Sequence, residues 1–254
     1  MSKIRAFLIH LSISATVVGL ALAVIFFFWY PTPYFKAAGT WQVIQVLVGV
    51  DLVVGPVLTL ILFKSGKPRL MFDLSVIACI QLVALVYGLA IIYQERPYFS
   101  VFAVDRFEII TKGEVDVSKI QYDELETKPL MGPLLVFAAM PDTEEGRQKL
   151  LFDVLVEGKP DLERRPEYYE PYLARKEEVL ERATPLSMLR EAHPEAAGRI
   201  DTLTEKHKAS GGLAFVPLIG RNSSHALVLS KSTGLPVGSI DVDPWLEEST
   251  SSIQ

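Results

Sequence analysis

Residues 6–30 read AFLIHLSISATVVGLALAVIFFFWY, a stretch with no Asp, Glu, Lys or Arg. At ~1.5 Å of rise per residue, one helix of this length crosses the ~30 Å hydrocarbon core of a bilayer. Two similar runs follow: Ala37 to Phe63 contains one charged residue, Asp51, and Leu70 to Gln94 contains one, Asp73. The spacing predicts three transmembrane helices at about 6–30, 39–63 and 70–93. The first apolar run exceeds the ~7–15 residues of a signal-peptide core. It also ends in Trp29-Tyr30-Pro31, an interfacial aromatic pair before a helix terminator, so it reads as an uncleaved span.

Charge divides the chain at the same place. Of 30 acidic residues only Asp51 and Asp73 precede position 94, whereas 19 of the 25 Lys and Arg follow it. The part after the anchor is therefore acidic, which argues against nucleic acid as a partner because phosphate contacts need a basic face. Lys3 and Arg5 precede span 1, and Lys64, Lys67 and Arg69 fill the turn between spans 2 and 3, while the turn between spans 1 and 2 carries only Lys36. Cations mark the cytoplasmic side, so span 3 is expected to exit on the other side, which makes the C-terminal domain periplasmic or extracytoplasmic. The single cysteine, Cys79, lies within an apolar run and permits no intrachain disulfide.

A carboxylate inside a bilayer costs ~3 kcal/mol on insertion scales and usually faces a partner. Counting rise from the cytoplasmic ends places Thr16, Asp51 and Gln81 at one level, ~17 Å deep. Asp73 falls at a shallower level with His10 and Thr59, and Gln45 with Tyr87 form a level near the outer surface. Two readings follow: an interhelical hydrogen-bond network that fixes the bundle's register, or a proton or ion path in which Asp51 titrates. A third is a contact with a partner helix. Asp51, Gly55 and Thr59 recur at four-residue spacing on one face. Gly55 allows close helix approach. Pro56 cannot donate to the carbonyl of Leu52, which favours a kink. Asp51, Gly55, Pro56 and Thr59 are the candidate partner-helix contact.

The remainder, residues 95–254, reads as one soluble domain after an anchor of residues 1–94. Phe99 to Thr111 and Pro133 to Met140 are strand-like. Helical signals cover Arg147 to Val156, Glu167 to Ala183, Pro185 to Glu191 and Pro194 to Lys208. Strands return at Leu213 to Ile219, Ala226 to Ser230 and Pro236 to Val242, before a Ser/Thr-rich tail. The fold class expected is a membrane protein with three N-terminal transmembrane helices followed by an α+β domain with an antiparallel sheet.

Signals for catalysis are sparse. His193, His207 and His225 lack metal-ligand spacing, and there is no nucleophile elbow or P-loop. Lys231-Ser-Thr-Gly234 is similar to a penicillin-binding-protein box, but the chain contains no Ser-x-x-Lys. Glu177, Glu178 and Glu181 form a solvated helix face, and the Asn222-Ser-Ser224 sequon is expected by chance. No enzyme, cofactor or metal is expected.

The stretch Asp51-Leu-Val-Val-Gly-Pro-Val-Leu-Thr59 is followed in order by Phe72-Asp-Leu-Ser-Val-Ile77, Gln81, Ala84-Leu, Tyr87-Gly88, Arg96-Pro97 and Val104-Asp-Arg-Phe-Glu108. Together they resemble the TfpX/TfpZ family of bacterial type IV pilin accessory proteins, over about Phe7 to Ile110. Gly238-Ser-Ile-Asp241 and Asp243-Pro-Trp245 are similar to that family's ending, whereas about Gly113 to Ser210 carries no motif of it. The resemblance implies an inner-membrane, chaperone-like or assembly-modulating factor whose partners are a type IV pilin and membrane lipid, with no catalytic residues. A pilin's cleaved leader is not seen, and pilins have one hydrophobic helix, so the chain is not read as a pilin. The alternative is a small sensor with an extracytoplasmic ligand-binding domain, for which few residues remain inside to carry an output.

Overall fold

The computed structural model describes residues 2–246 apart from 66, 128 and 222. Asn222 of the sequon and the Ser/Thr-rich tail lie outside the described residues. The chain forms two compact units, Met1–Pro31 with Thr40–Arg96 and Thr32–Gly39 with Pro97–Gln254.

The first unit contains three helices long and apolar enough to cross a membrane: span 1, Lys3–Trp29; span 2, Trp41–Leu62; and span 3, Leu70–Gln94. Spans 1 and 3 each pack on span 2. Ser2 caps span 1 by accepting from the Arg5 N–H at 3.2 Å. Much of the outer surface is apolar, with Leu20, Phe27, Ile61 and Val83 all exposed, as suits a lipid solvent. Near the ends of spans 1 and 3, Trp29 meets Tyr93 edge-on at 5.1 Å and the Arg96 guanidinium lies 3.6 Å from the Tyr93 ring centre. The Tyr30 hydroxyl donates to the Ile92 carbonyl at 2.8 Å.

Span 2 is interrupted by a π-helical turn at Val50–Val54, immediately before Gly55-Pro56. The disturbance expected at Pro56 thus takes the form of a widened turn, in which the Gly55 N–H reaches back to the Val50 carbonyl. In that register the acceptor facing the missing Pro56 N–H is the carbonyl of Asp51 rather than of Leu52.

The second unit is an eight-stranded mixed sheet: β1 (Pro97–Ala103), β2 (Arg106–Thr111), β3 (Leu134–Ala138), β4 (Tyr169–Pro171), β5 (Thr184–Pro185), β6 (Leu213–Ile219), β7 (Ser224–Ser230) and β8 (Pro236–Ile240). The order is β4-β3-β1-β2-β6-β7-β8, with β5 pairing with β6. The α+β class holds; two parallel pairings, β1 with β3 and β2 with β6, join otherwise antiparallel neighbours. Helices occupy Glu144–Leu155, Lys176–Arg182, Leu186–Ala192 and Ala197–Lys206.

Two expectations change. Phe99 to Thr111 is a hairpin rather than one strand: β1 turns into β2 through Val104-Asp105, with Val104 at φ 58°. A β-branched residue rarely takes that conformation, so nothing in the composition announces a turn. The Arg182 guanidinium donates to the Val104 carbonyl and holds the turn. The helix expected over Glu167 to Ala183 shortens to Lys176–Arg182, because Tyr169–Pro171 pairs with β3 as an edge strand and buries the Tyr169 ring against Phe99.

Alternation along the strands separates two cores. On one face Phe102, Phe107, Phe137, Val216, Leu218 and Leu227 pack with Val179 and Tyr172. On the other, Phe99, Val101 and Val136 pack under Leu150 and Leu162, while Phe215, Ala226 and Val228 pack under Leu189 and Ile200. The short segment 32–39 belongs to the first of these cores. Tyr34 and Ala37 are buried in it, although in the sequence they join two membrane spans. Gly220 makes room for them: a Cβ there would sit 2.0 Å from the Ala37 carbonyl oxygen.

Candidate functional site

The polar residues of the spans converge on span 2. Gln81 of span 3 is the hub. Its Nε2 donates to both the Asp51 carbonyl and Asp51 Oδ1, each at 3.3 Å. The first contact satisfies the acceptor that Pro56 leaves open. Gln81 Oε1 lies 2.8 Å from His10 Nε2, and His10 Nδ1 lies 2.5 Å from Thr59 Oγ1. With the amide so oriented, His10 Nε2 donates to Gln81 Oε1, while the Thr59 hydroxyl can serve Nδ1 as donor or acceptor. The chain Thr59–His10–Gln81–Asp51 therefore ties all three spans together.

Gly55 positions the hub. A Cβ at Gly55 would fall 2.1–2.4 Å from the Gln81 amide group, so only glycine lets the amide lie across span 2 at this point. Thr59 is 2% and Asp51 5% exposed. The face formed by Asp51, Gly55, Pro56 and Thr59 is thus covered by the chain's own spans 1 and 3, which take the place expected for a partner helix. Its polar groups are used inside the bundle.

Depth counting correctly pairs Asp51 with Gln81 and His10 with Thr59. It separates the pairs into two levels, whereas the His10–Gln81 contact joins them, because the Gln81 side chain spans about a helical turn. Thr16 is not in the network: it is exposed and donates to the Ser12 carbonyl at 2.9 Å. Asp73 is not in it either, being ion-paired with Lys67 at 2.5 Å. Gln45 and Tyr87 are both exposed and are not brought together by a hydrogen bond among the described residues.

Above the hub lies a cavity of about 150 Å³, lined by His10, Ser14, Asp51 and Gln81 together with apolar residues of spans 1 and 3. Ser14, absent from the sequence expectation, is 8% exposed. It stands one helical turn beyond His10, and that i+4 spacing is the signal that could have found it.

The second unit carries its own polar feature. His225 Nδ1 lies 3.1 Å from Asp241 Oδ1 and its Nε2 lies 2.8 Å from the Ser223 hydroxyl. Asp241 Oδ2 accepts from Lys36 at 2.9 Å. This row clasps segment 32–39 to β7 and β8. Burial holds the His225 imidazole below its ordinary value against the pull of Asp241, and Lys36 holds the Asp241 carboxyl below the usual carboxylate range. Among the described residues no three His, Cys, Asp or Glu gather in an arrangement able to hold a metal ion.

A family model described as the fimbrial assembly protein FimB matches residues 1–39, which contain His10, Ser14 and the clasped segment. The chain is 30% identical over 247 residues to a fimbrial assembly protein, serogroup I, of Dichelobacter nodosus, covering 93% of this chain and 94% of that one. It is 30% identical over 237 residues to the serogroup E1 protein of the same organism, covering 90% and 91%. A third relative there, the fimbrial assembly protein of serogroups C1 and C2, is 40% identical over 109 residues, 42% of this chain and 83% of that one. No solved structure matches. With similarity running along nearly the whole chain, and three membrane-spanning helices on the same polypeptide, this protein belongs to the fimbrial assembly protein family.

Proposed function

We propose that the chain is a bacterial inner-membrane accessory factor of the TfpX/TfpZ kind, which acts in a chaperone-like way on a type IV pilin and modulates its stability or assembly. The observation that carries this reading is the near full-length kinship with fimbrial assembly proteins. The three spans supply the membrane location that such a factor needs, since a pilin awaiting assembly is held there by one hydrophobic helix.

The periplasmic placement of the C-terminal domain is supported in two ways. Lys3, Arg5, Lys64, Lys67 and Arg69 flank the opposite ends of the spans. Segment 32–39, which joins spans 1 and 2, shares a core with the strands that follow span 3. Two stretches separated by two membrane crossings can share a core only on one side of a bilayer. The reading assigns no bond-making chemistry to the chain: it binds a subunit and releases it to the assembly machinery, with lipid as its solvent.

The test is affinity purification of the tagged full chain from native membranes in mild detergent. The proposal expects the fimbrial subunit to co-purify at well above the level seen with an unrelated three-span protein. Equal, background-level recovery of the subunit from both would refute it.

A further inference from the structure

The cavity beside the Gln81 hub is lined by two polar atoms that have no hydrogen bond among the described residues, one on Asp51 and one on Ser14. Asp51 Oδ1 takes the Gln81 amide, and no hydrogen bond reaches Oδ2 among the described residues. The Ser14 hydroxyl has no hydrogen-bond partner among them either, although Ser12 and Thr16 on the same span each donate to a carbonyl one turn back. Both residues are more than nine-tenths buried and both line the cavity. In hydrocarbon an unmet polar group is costly, and the solution available to membrane helices is a polar group on a neighbour.

The walls indicate where that neighbour comes from. Spans 1 and 3 both pack on span 2 and meet each other at His10–Gln81 and again at Trp29–Tyr93, and between those two contacts lies a cleft with Asp51 in its lining. Its rim carries Ile13 and Leu82, 59% and 60% exposed, so it opens sideways toward lipid rather than along the bundle axis. A volume of about 150 Å³ is that of one medium side chain, comparable to the ~150 Å³ engineered cavity that admits benzene.

We infer that this cleft is a docking groove for one transmembrane helix of another protein, which inserts a single polar side chain at mid-depth between Ser14 and Asp51. The inserted group both donates and accepts, as a hydroxyl, an amide or a protonated carboxyl does, because Ser14 offers a donor and Asp51 an acceptor. The inference rests on the proposed function in taking the helix to be that of the fimbrial subunit. It differs from that reading in naming the surface: the cleft between spans 1 and 3, and not the Gly55–Thr59 face, which is already filled.

The test places a photo-crosslinking amino acid in the full chain in native membranes, at Ile13 or Leu82 on the rim, and at Val46 or Ile61 on exposed surface of span 2. The inference expects a crosslink to the fimbrial subunit from the rim positions, and about ten-fold less from Val46 and Ile61. Ser14→Leu, which fills the cavity while leaving His10, Gln81 and Asp51 in place, is expected to lower the rim crosslink about ten-fold, the equivalent of one good interhelical contact. Unchanged accumulation of the Ser14→Leu chain in membranes separates this from misfolding, and the smaller Ser14→Ala, which removes the hydroxyl without filling the cavity, is expected to lower the rim crosslink only about three-fold. Equal crosslinking to the subunit from rim and control positions overturns the groove while the proposed function stands. Crosslinks only to lipid, or only to a second copy of this chain, overturn it too. A crosslink from the rim to a different membrane protein keeps the groove and overturns the choice of subunit.

Discussion

The close approach of Gly55 to Gln81 makes a double-mutant cycle unusually informative. Gln81→Ala removes one contact to His10 and two to Asp51. At ~0.6 kcal/mol for an average interhelical hydrogen bond, this costs about 2 kcal/mol. Gly55→Ala puts a methyl group 2.1–2.4 Å from the Gln81 amide, so the flexible side chain swings out and the same contacts are lost. A helical Ala is favoured over Gly by ~1 kcal/mol, which reduces the net cost of Gly55→Ala to about 1 kcal/mol. Once Gln81 is Ala there is nothing left to displace, so the double variant also costs about 1 kcal/mol, less than Gln81→Ala alone and well below the ~3 kcal/mol of additive singles. Unfolding of the full chain in mixed micelles by SDS titration, followed by far-ultraviolet circular dichroism, reads all four corners. Additive costs would refute the packing of Gln81 across Gly55.

Three further outcomes follow from the same geometry. Gly220→Ala places a Cβ 2.0 Å from the Ala37 carbonyl and forces segment 32–39 off the sheet; destabilisation by ~1–3 kcal/mol is expected, with faster proteolysis between residues 32 and 39, and an unchanged cleavage rate would contradict it. His225 is held below its ordinary 6.5, so the unfolded chain takes up the proton first and stability falls as pH drops from about 6.5 through the lowered folded value. Asp241 is lowered from 3.8, so its stabilising contribution is present above that value and is lost as pH falls through the lowered one. Thermal melts of the full chain between pH 5 and 8 check the upper window, and His225→Asn should flatten it while leaving Lys36 and Asp241 in place. Asp51→Asn preserves a group that accepts from Gln81, so normal accumulation in membranes is expected by immunoblot; disappearance of the protein would make the charge itself structural.

The membrane part was readable from sequence because hydropathy over 20 residues is a one-dimensional property. Depth is readable too: Asp51 and Gln81 share a level, as do His10 and Thr59, and each pair is hydrogen-bonded in the structure. Direction around the helix is not readable. Thr16 lies at the right depth, but at ~100° per residue it points ~200° away from Ser14, the residue that lines the cavity. Asp73 shares a depth with His10 and Thr59 but pairs instead with Lys67, which reaches it from the adjoining turn. The last three strands of the domain stood out through their alternation and turn residues, whereas the β1–β2 hairpin was hidden by a turn built on Val104. Segment 32–39 was the largest omission. Its burial depends on the absence of a side chain at Gly220, a contact across nearly the whole chain that no local pattern encodes.

The central claim is that this membrane protein serves fimbrial assembly through the subunit. It is tested most directly by deleting its gene, supplying it again from a plasmid, and quantifying surface fimbriae against total fimbrial subunit in the same cells. The account predicts a marked loss of surface fimbriae or of subunit stability in the deletion strain, restored by the wild-type chain and not by a chain truncated after span 3. Normal fimbriae together with a normal level of subunit in the deletion strain would contradict it.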